Sequence, residues 1–425
     1  MTKRVVVTGL GVISPNAVGV EAFLNAIKNG ISGIKFNPFY RELNFSCHLS
    51  GTPDFEWEIL KNYISEVSYH GLKATNIAYG LVAALDAWRD SGAVVETDEP
   101  RWETGCVFGN SIADSEAMKN VITKVDKKEA KKLGSRVVEQ SMNSGVTSYI
   151  SGLLGLGNKV ITNSSACATG SQAILMGYEY IKDGYAKRMM VGSTEYVDNY
   201  VFGSFDSMRV LSRKFNEQPE KASRPMSLTA GGFIPGSGSG ALVLEDLDFA
   251  LARNAKIYAE ILGGSSNSGG QRCGGSMTAA NPVGVVKCIK DAVLNSNISS
   301  DNIDLISGHL TATVADKHEI ENWITALDRK GNNFPIINSL KSMIGHCLSA
   351  AGSIESVASI LQLYHNFVHP NINLEDPNPE ILDLIDLNCI PTSLIQKEIN
   401  IVAKANFGFG DVNSCLIFSK FKNND

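Results

Sequence analysis

Four side chains in this 425-residue sequence have types suited to covalent chemistry: Cys167, His309, Lys341 and His346. A fifth element, Asn406-Phe407-Gly408-Phe409-Gly410-Asp411, offers backbone that can approach closely. A thiol with histidines far away in sequence is what nucleophilic thiol chemistry requires. Cys167 sits in Ile161-Thr162-Asn163-Ser164-Ser165-Ala166-Cys167-Ala168-Thr169-Gly170-Ser171-Gln172-Ala173. Asn163, Ser164 and Ser165 favour N-cap positions, so a helix is expected to start near Cys167. Unpaired N–H groups and the helix dipole would there favour the thiolate. The competing reading is a packed, inert core cysteine. His309 and His346 have structural readings of their own, as a satisfied core histidine and a helix cap. His365 and His369 have i,i+4 spacing, but Pro370 follows and no third ligand is evident, so no metal site is expected.

The elements around these residues alternate between strand and helix patterns. Arg4–Thr8 reads as a buried strand closed by a turn at Gly9-Leu10-Gly11; without a third glycine this is no dinucleotide fingerprint. Helical spacing marks 18–29, 73–91, 283–294 and 347–365. Strand patterns mark 105–111, 188–195, 238–245, 257–262, 303–309, 335–339, 401–405 and 412–418. Residues 204–240 are rich in Gly, Ser and Pro and read as loop, as do 341–346. Two segments echo each other. Ile161 to Cys167 and Ile336 to His346 both pass from strand through a small-residue turn toward a helix, which suggests a duplicated fold with one reactive group from each half. The halves are expected to join near residue 255, giving units 1–255 and 256–425.

Bulk properties narrow the function classes. The composition is 44% hydrophobic and 19% charged, ordinary for a soluble globular protein. A net charge of −6 leaves no overall basic footprint for nucleic acid. Against that background Lys119, Lys124, Lys127, Lys128, Lys131, Lys132 and Arg136 form a local basic cluster, either a solvated helix face or a docking surface for an acidic or phosphorylated partner. Eight cysteines without CxxC pairs argue against a disulfide framework or zinc site and fit a reducing cytoplasm. No signal peptide and no membrane span are expected.

Several motifs, in order, carry a resemblance. They are Val5-Val6-Val7-Thr8-Gly9-Leu10-Gly11, Ser165-Ala166-Cys167-Ala168-Thr169-Gly170, Arg224-Pro225, Ala255-Lys256-Ile257-Tyr258-Ala259-Glu260, and His309-x-Thr311-x-Thr313. They continue with Lys341-Ser342-Met343-Ile344-Gly345-His346 through Gly352 to Glu355, Asn371-Ile372-Asn373-Leu374, and Asn406-Phe407-Gly408-Phe409-Gly410. With them the chain resembles the elongating β-ketoacyl-acyl-carrier-protein (ACP) synthases over nearly its whole length. The resemblance implies an α/β, thiolase-like fold, duplicated into αβαβα layers, and a homodimer, with a heterodimer as the variant. It implies a decarboxylative Claisen condensation in fatty acid or specialised lipid, polyene or polyketide synthesis. An acyl chain moves from ACP to the thiol, malonyl-ACP loses CO2, and the carbanion attacks to give 3-oxoacyl-ACP.

The same resemblance implies the roles. Cys167 is the acylated nucleophile. His309 and His346 donate hydrogen bonds to the enolate oxygen. Lys341 orders the His346 network with Glu355, and the Cys167 and Phe407 N–H groups hold a second oxyanion, with the Phe407 ring as a gate. Thr311 and Thr313 meet the pantetheine arm, while Phe108, Phe409 and Glu355 line the substrate. Arg209, Lys127, Lys128 and Arg136 meet the acidic carrier. No metal and no resident cofactor are implied, since 4′-phosphopantetheine arrives on the carrier.

The sequence departs from the family's pattern at several loops. Leu310 stands where glycine is usual, the His309–Glu319 segment is one residue shorter, and Val314 replaces a proline. Met226–Gly231 replaces a more charged stretch, Gly236-Ser237-Gly238 a Gly-Glu-Gly, and Asp411 a glycine. These changes bear on the substrate rather than the reaction type. Two other functions compete. A thiolase acting on CoA esters would need a second catalytic cysteine, for which Cys415 is the candidate. A silent chain-length-factor-like partner would lack the nucleophile, which Cys167 supplies.

Overall fold

The computed structural model describes residues 2–422. The first half builds β1 (Val5–Ser14), α1 (Val20–Lys28), α2 (Thr75–Asp90), β2 (Thr104–Asn110), α3 (Ser115–Asp126), α4 (Gly145–Leu154), α5 (Thr169–Lys182), β3 (Arg188–Glu195), α6 (Asn199–Ser207) and β4 (Gly238–Asp246). The second builds β5 (Ala259–Ser268), α7 (Pro282–Asn295), β6 (Leu305–Ser307), α8 (Ala315–Leu327), β7 (Ile336–Asn338), α9 (Lys341–Ile344), α10 (Ala351–His365), β8 (Ile401–Gly408) and β9 (Val412–Ser419).

Among the described residues, hydrogen bonding joins these strands into an 11-stranded mixed sheet. Its order is β7-β6-β8-β9-β5-β1-β4-β3-β2, ending on the short strand Val160–Ile161, with the eleventh strand, Ala17–Val18, paired to the end of β1 off this path. β1 pairs antiparallel with both β4 and β5 and so connects the halves. Helices α2 and α4 cover one outer face and α7 and α8 the other. Helices α5 and α10 lie between the halves, in the largest apolar core. The result is the duplicated, five-layered αβαβα arrangement of a thiolase-like fold.

The echo in the sequence is real in the topology. Val160–Ile161 pairs parallel with β2 and leads into α5; β7 pairs parallel with β6 and leads through α9 into α10. The two central helices cross backbone to backbone at glycines. A Cβ on Gly170 would lie 2.4 Å from Ser353 N, and one on Gly352 would lie 2.4 Å from Ser171 N. That close crossing brings the turns before the two helices together.

Several local expectations need correction. The Gly9–Gly11 turn is absent, and β1 continues through it with a register shift between Val7 and Gly9. Both glycines are required by packing instead, since a Cβ would lie 2.0 Å from Ala87 O and 1.9 Å from Ala83 O of α2. The 204–240 stretch opens with the end of α6, Lys341–Ile344 is a helical turn, and β8 continues to Gly408. The basic 119–136 stretch is no single helix: α3 ends at Asp126 and Lys128 takes φ 59°.

Candidate active site

α5 starts at Thr169, two residues after Cys167, and its N-cap Ala168 makes no side-chain capping bond. The polar residues before it close the turn another way. Ser165 N donates to Thr169 Oγ1 (2.7 Å), Thr169 Oγ1 donates to Ala166 O (2.7 Å), and Asn163 Nδ2 donates to Thr169 O (2.9 Å). The turn holds Ala166 at φ 47°, a left-handed conformation costing a non-glycine residue about 1–2 kcal/mol. Strain of that kind persists where surrounding structure over-determines it.

Cys167 Sγ lies 3.0 Å from His346 Nε2. The ligand-type atoms of Cys167, His309 and His346 fall within 4.8 Å of one another, so residues 179 and 142 positions away from the thiol converge on it. The imidazoles meet edge to face, ring centroids 5.2 Å apart. Burial pushes the thiol up to about 11, against Lys341 and the Phe409 N–H, which pull it down. The resting group is therefore a thiol, and the thiolate expected from the helix terminus alone is not supported. Burial, reinforced by Lys341, lowers His346 to about 3 and His309 well below its usual range, so both rings are neutral.

The network behind the rings settles one tautomer. Ser171 Oγ donates to Asn406 Oδ1 (2.6 Å), which leaves Asn406 Nδ2 to donate to Glu355 Oε2 (3.0 Å) and His309 Nδ1 (3.3 Å). An accepting Nδ1 places the His309 proton on Nε2. His346 Nδ1 has no partner among the described residues. Lys341 is paired with Glu355 Oε1, and Lys404 Nζ lies 2.8 Å from Glu355 Oε2. The two lysines hold the Glu355 carboxyl down to about 2 despite its burial. The expected link from Lys341 and Glu355 to His346 is thus replaced by one that reaches His309 through Asn406. Glu355 is 1% exposed with both oxygens occupied, so it supports the site and does not line the substrate.

Two phenylalanine assignments also change. The N–H that reaches Cys167 is that of Phe409, not Phe407. Phe407 still belongs to β8, opposite Asn413, with its ring 6.1 Å from His309. Gly408 passes over the nucleophile turn, where a Cβ would lie 3.1 Å from Cys167 N. Phe409 instead starts an aromatic wall: its ring is 6.3 Å from Phe205, Phe205 is 5.5 Å from Phe233, and Phe233 is 5.5 Å from His346. Phe108 is fully buried and packs in the outer core with α2 and α4. Strand alternation explains the miss: Gly109 faces Thr169 at the start of α5, so Phe108 must face the other side.

Thr311 and Thr313 are half-buried beyond His309, their hydroxyls 3.0 Å apart. The carboxylate of Glu319 accepts from the His309 and Leu310 N–H groups (2.7 and 2.6 Å) and fixes this loop. Leu310 turns into the apolar core, so its replacement of glycine alters packing and not the site's opening. Asp411 accepts from Gln271 N and Asn281 N (both 2.8 Å) and ties that loop to the Phe409 turn. Arg209, Lys127 and Lys128 are exposed, whereas Arg136 is half-buried, lining a cavity of ≈450 Å³ with His70, Lys73 and Lys124. Cys415 is fully buried in β9, paired with Ala405 and Ser265, and does not join Cys167. That removes the second thiol a thiolase needs.

Sequence reasoning gave no role to Lys404, Asn406, Glu319, Phe205 or Phe233. Lys404 left a signal: a lone charge in the apolar strand Ile401-Val402-Ala403-Lys404-Ala405. The rings and Glu319 left none separable from ordinary packing.

A neutral Cys–His–His cluster with a backbone donor, at the junction of a duplicated αβαβα fold, defines a condensing acyltransferase. Residues 2–250 match the model of the beta-ketoacyl synthase N-terminal domain and residues 258–375 that of its C-terminal domain, and the chain belongs to this family. A putative mitochondrial 3-oxoacyl-[acyl-carrier-protein] synthase of Schizosaccharomyces pombe is 32% identical, over 99% of each chain. The 3-oxoacyl-[acyl-carrier-protein] synthase 1 of Escherichia coli is 30% identical, over 99% of this chain and 100% of its own. Among solved structures, a beta-ketoacyl synthase from Burkholderia phymatum superposes with TM-score 0.89 at 26% identity. A type II polyketide ketosynthase in complex with its acyl-carrier protein superposes with TM-score 0.88 at 30% identity; both alignments cover 99% of this chain and 100% of the other.

Proposed function

We propose that the chain is a 3-oxoacyl-ACP synthase that condenses a Cys167-bound acyl group with malonyl-ACP. The contact between Cys167 Sγ and His346 Nε2 carries the reading. As the thiol attacks the acyl thioester, His346 takes its proton and returns it to the departing carrier thiol. The oxyanion of this step is met by the Cys167 and Phe409 N–H groups. Malonyl-ACP then loses CO2, and the enolate oxygen is met by His309 Nε2–H and by the His346 ring. The carbanion displaces Cys167 from the acyl carbonyl as a thiolate, which takes up a proton from solvent to restore the resting thiol, and the 3-oxoacyl product leaves on the carrier. A donor of this kind is worth about 3 kcal/mol of barrier.

The carrier's pantetheine arm would run past Thr311 and Thr313, with its acidic surface against Arg209, Lys127, Lys128 and the basic cavity beside Arg136. No resident cofactor or metal takes part. We place the protein in the cytoplasm as a homodimer, in two halves, 1–255 and 256–425. The cysteines of the chain are free, as a reducing compartment favours. No helix among the described residues is long and apolar enough to cross a membrane. Helix α3 buries none of its residues and displays Ile122 and Val125, a face suited to a second copy.

Incubation with acyl-ACP should add one acyl mass to Cys167, and Cys167→Ala should abolish condensation. Absence of an adduct with every carrier-bound donor tried would overturn the proposal, as would normal turnover by Cys167→Ala.

A further inference from the structure

Lys404 has no part in the chemistry described so far, yet it is completely buried beside it. It lies on β8, opposite Ser307 of β6 and Leu416 of β9, two residues before Asn406 on the same face of the strand. Its Nζ shares Glu355 Oε2 with the Asn406 amide, while Lys341 takes Oε1. Burial lowers Lys404, against Glu355, which raises it; with both lysines protonated, one carboxylate serves two ammonium groups and the touching side chains carry one positive charge in excess.

The other groups facing this cluster do not cancel it. His309, His346 and Cys167 are neutral, and the buried thiol of Cys415 is held well above its usual range. Glu319 bonds backbone N–H groups and Trp323 Nε1 and makes no ion pair among the described residues; burial pushes it up to about 7. Glu195 is likewise pushed up to about 7 by burial. Below that pH the excess cation stands against a site where the condensation builds negative charge. An uncompensated buried charge is expensive to keep, and a second lysine is not needed to neutralise one glutamate.

We propose that Lys404 is a positioning residue of the condensation: enclosing Glu355 with Lys341, it leaves a net positive charge behind His309 and His346 that stabilises the enolate oxygen. The inference rests on the synthase reading above.

The test compares wild type, Lys404→Met and the double variant Lys404→Met/Glu355→Gln by malonyl-ACP decarboxylation at about pH 6, where Glu195 and Glu319 are mostly protonated. Across the three side chains the formal charge is +1 in wild type, zero in the single variant and +1 again in the double. Lys404→Met should lower kcat by at least about tenfold with KM within about twofold. The double variant should recover most of that loss, which a merely structural lysine would not do. A single variant within about twofold of wild type overturns the proposal, as does a double variant no faster than the single. Should Lys404→Met fail to fold by circular dichroism, Lys404→Arg and Lys404→Gln decide: a Gln variant at least about tenfold slower than the Arg variant supports the charge role, and any smaller gap between the two overturns it. Acylation of Cys167 by added acyl-ACP is read in parallel samples of the same proteins by mass spectrometry. Wild type without an adduct counts against the synthase reading, whereas an adduct with unchanged kcat counts against Lys404 only.

Discussion

The turns before α5 and α10 occupy equivalent places in the two halves, yet they are built from different forces. The turn before α5 presents its thiol with hydroxyls, amides and one left-handed alanine, and among the described residues no ion pair touches it. The turn before α10 stands on Lys341, Glu355 and Lys404, all buried and joined through the one carboxylate. A duplicated scaffold can therefore be specialised by changing what lies beneath each helix start, leaving the crossing of the helices intact. One side supplies a nucleophile whose geometry matters, the other an electrostatic environment whose charge matters, and the two should fail differently.

The largest effect is expected on the charged side. Glu355→Ala leaves two buried lysines without their carboxylate and should destabilise the fold by about 3–5 kcal/mol. Its pH signature separates this from a packing loss. The Glu355 carboxyl is held at about 2 in the folded protein against an ordinary 4.5, so its contribution is complete above 4.5 and disappears as pH falls from there toward 2. Denaturant titrations across that range should show wild type losing stability faster than the variant, so that the curves converge in acid. Parallel curves would mean that the carboxylate's charge contributes nothing.

The nucleophile side should break through geometry. Gly170→Ala places a Cβ 2.4 Å from Ser353 N and 2.5 Å from Ser193 Oγ, which forces the central helices apart at a cost of about 1–3 kcal/mol. Gly152→Ala on α4 is the control, since nothing lies within 4 Å of its Cβ. Helix propensity alone would make both changes slightly stabilising. Thermal unfolding of the pair should lower Tm for Gly170→Ala only, with no added dependence on pH between 4.5 and 2. Equal Tm values would show that the crossing has slack.

The same contrast decides what could be read from the sequence. Cys167, His309, Lys341 and His346 were legible because their motifs keep type, spacing and order together, and the duplicated fold followed from two parallel strand-to-helix passages. The contacts between halves were not. Phe407 and Phe409 both sit in a Phe-Gly-Phe-Gly run, and only the end of β8 at Gly408 says which N–H turns toward the thiol. Gly9 and Gly11 suggest a turn until a helix is seen crossing them, because a glycine needed for close approach and one needed for a turn look alike in sequence. Phe108 was misplaced by one step of strand alternation. Lys404 stood out as a charge in an apolar strand, but its partner Glu355 lies 49 residues earlier and on a helix.

The smallest effect is expected where neither geometry nor buried charge is involved. Arg209 is exposed just beyond α6, at φ 60°, and α6 packs against α3, where Lys119 Nζ lies 5.0 Å from the Tyr200 ring. Lys127 and Lys128 follow the end of α3, so these cations adjoin one face although 81 residues separate Arg209 from Lys128. Exposed charges of this kind steer encounter more than they hold a complex. Arg209→Glu should raise KM for acyl-ACP about threefold to tenfold at low salt, leave kcat unchanged, and lose most of the difference at about 0.5 M salt, where screening is within a few Å. Pantetheine-bound substrates without a carrier protein should be used equally well by wild type and variant. A change in kcat, or an equal defect on such truncated substrates, would move Arg209 from the docking face into the architecture of the site, and would make the nucleophile side less independent of charge than its turn suggests.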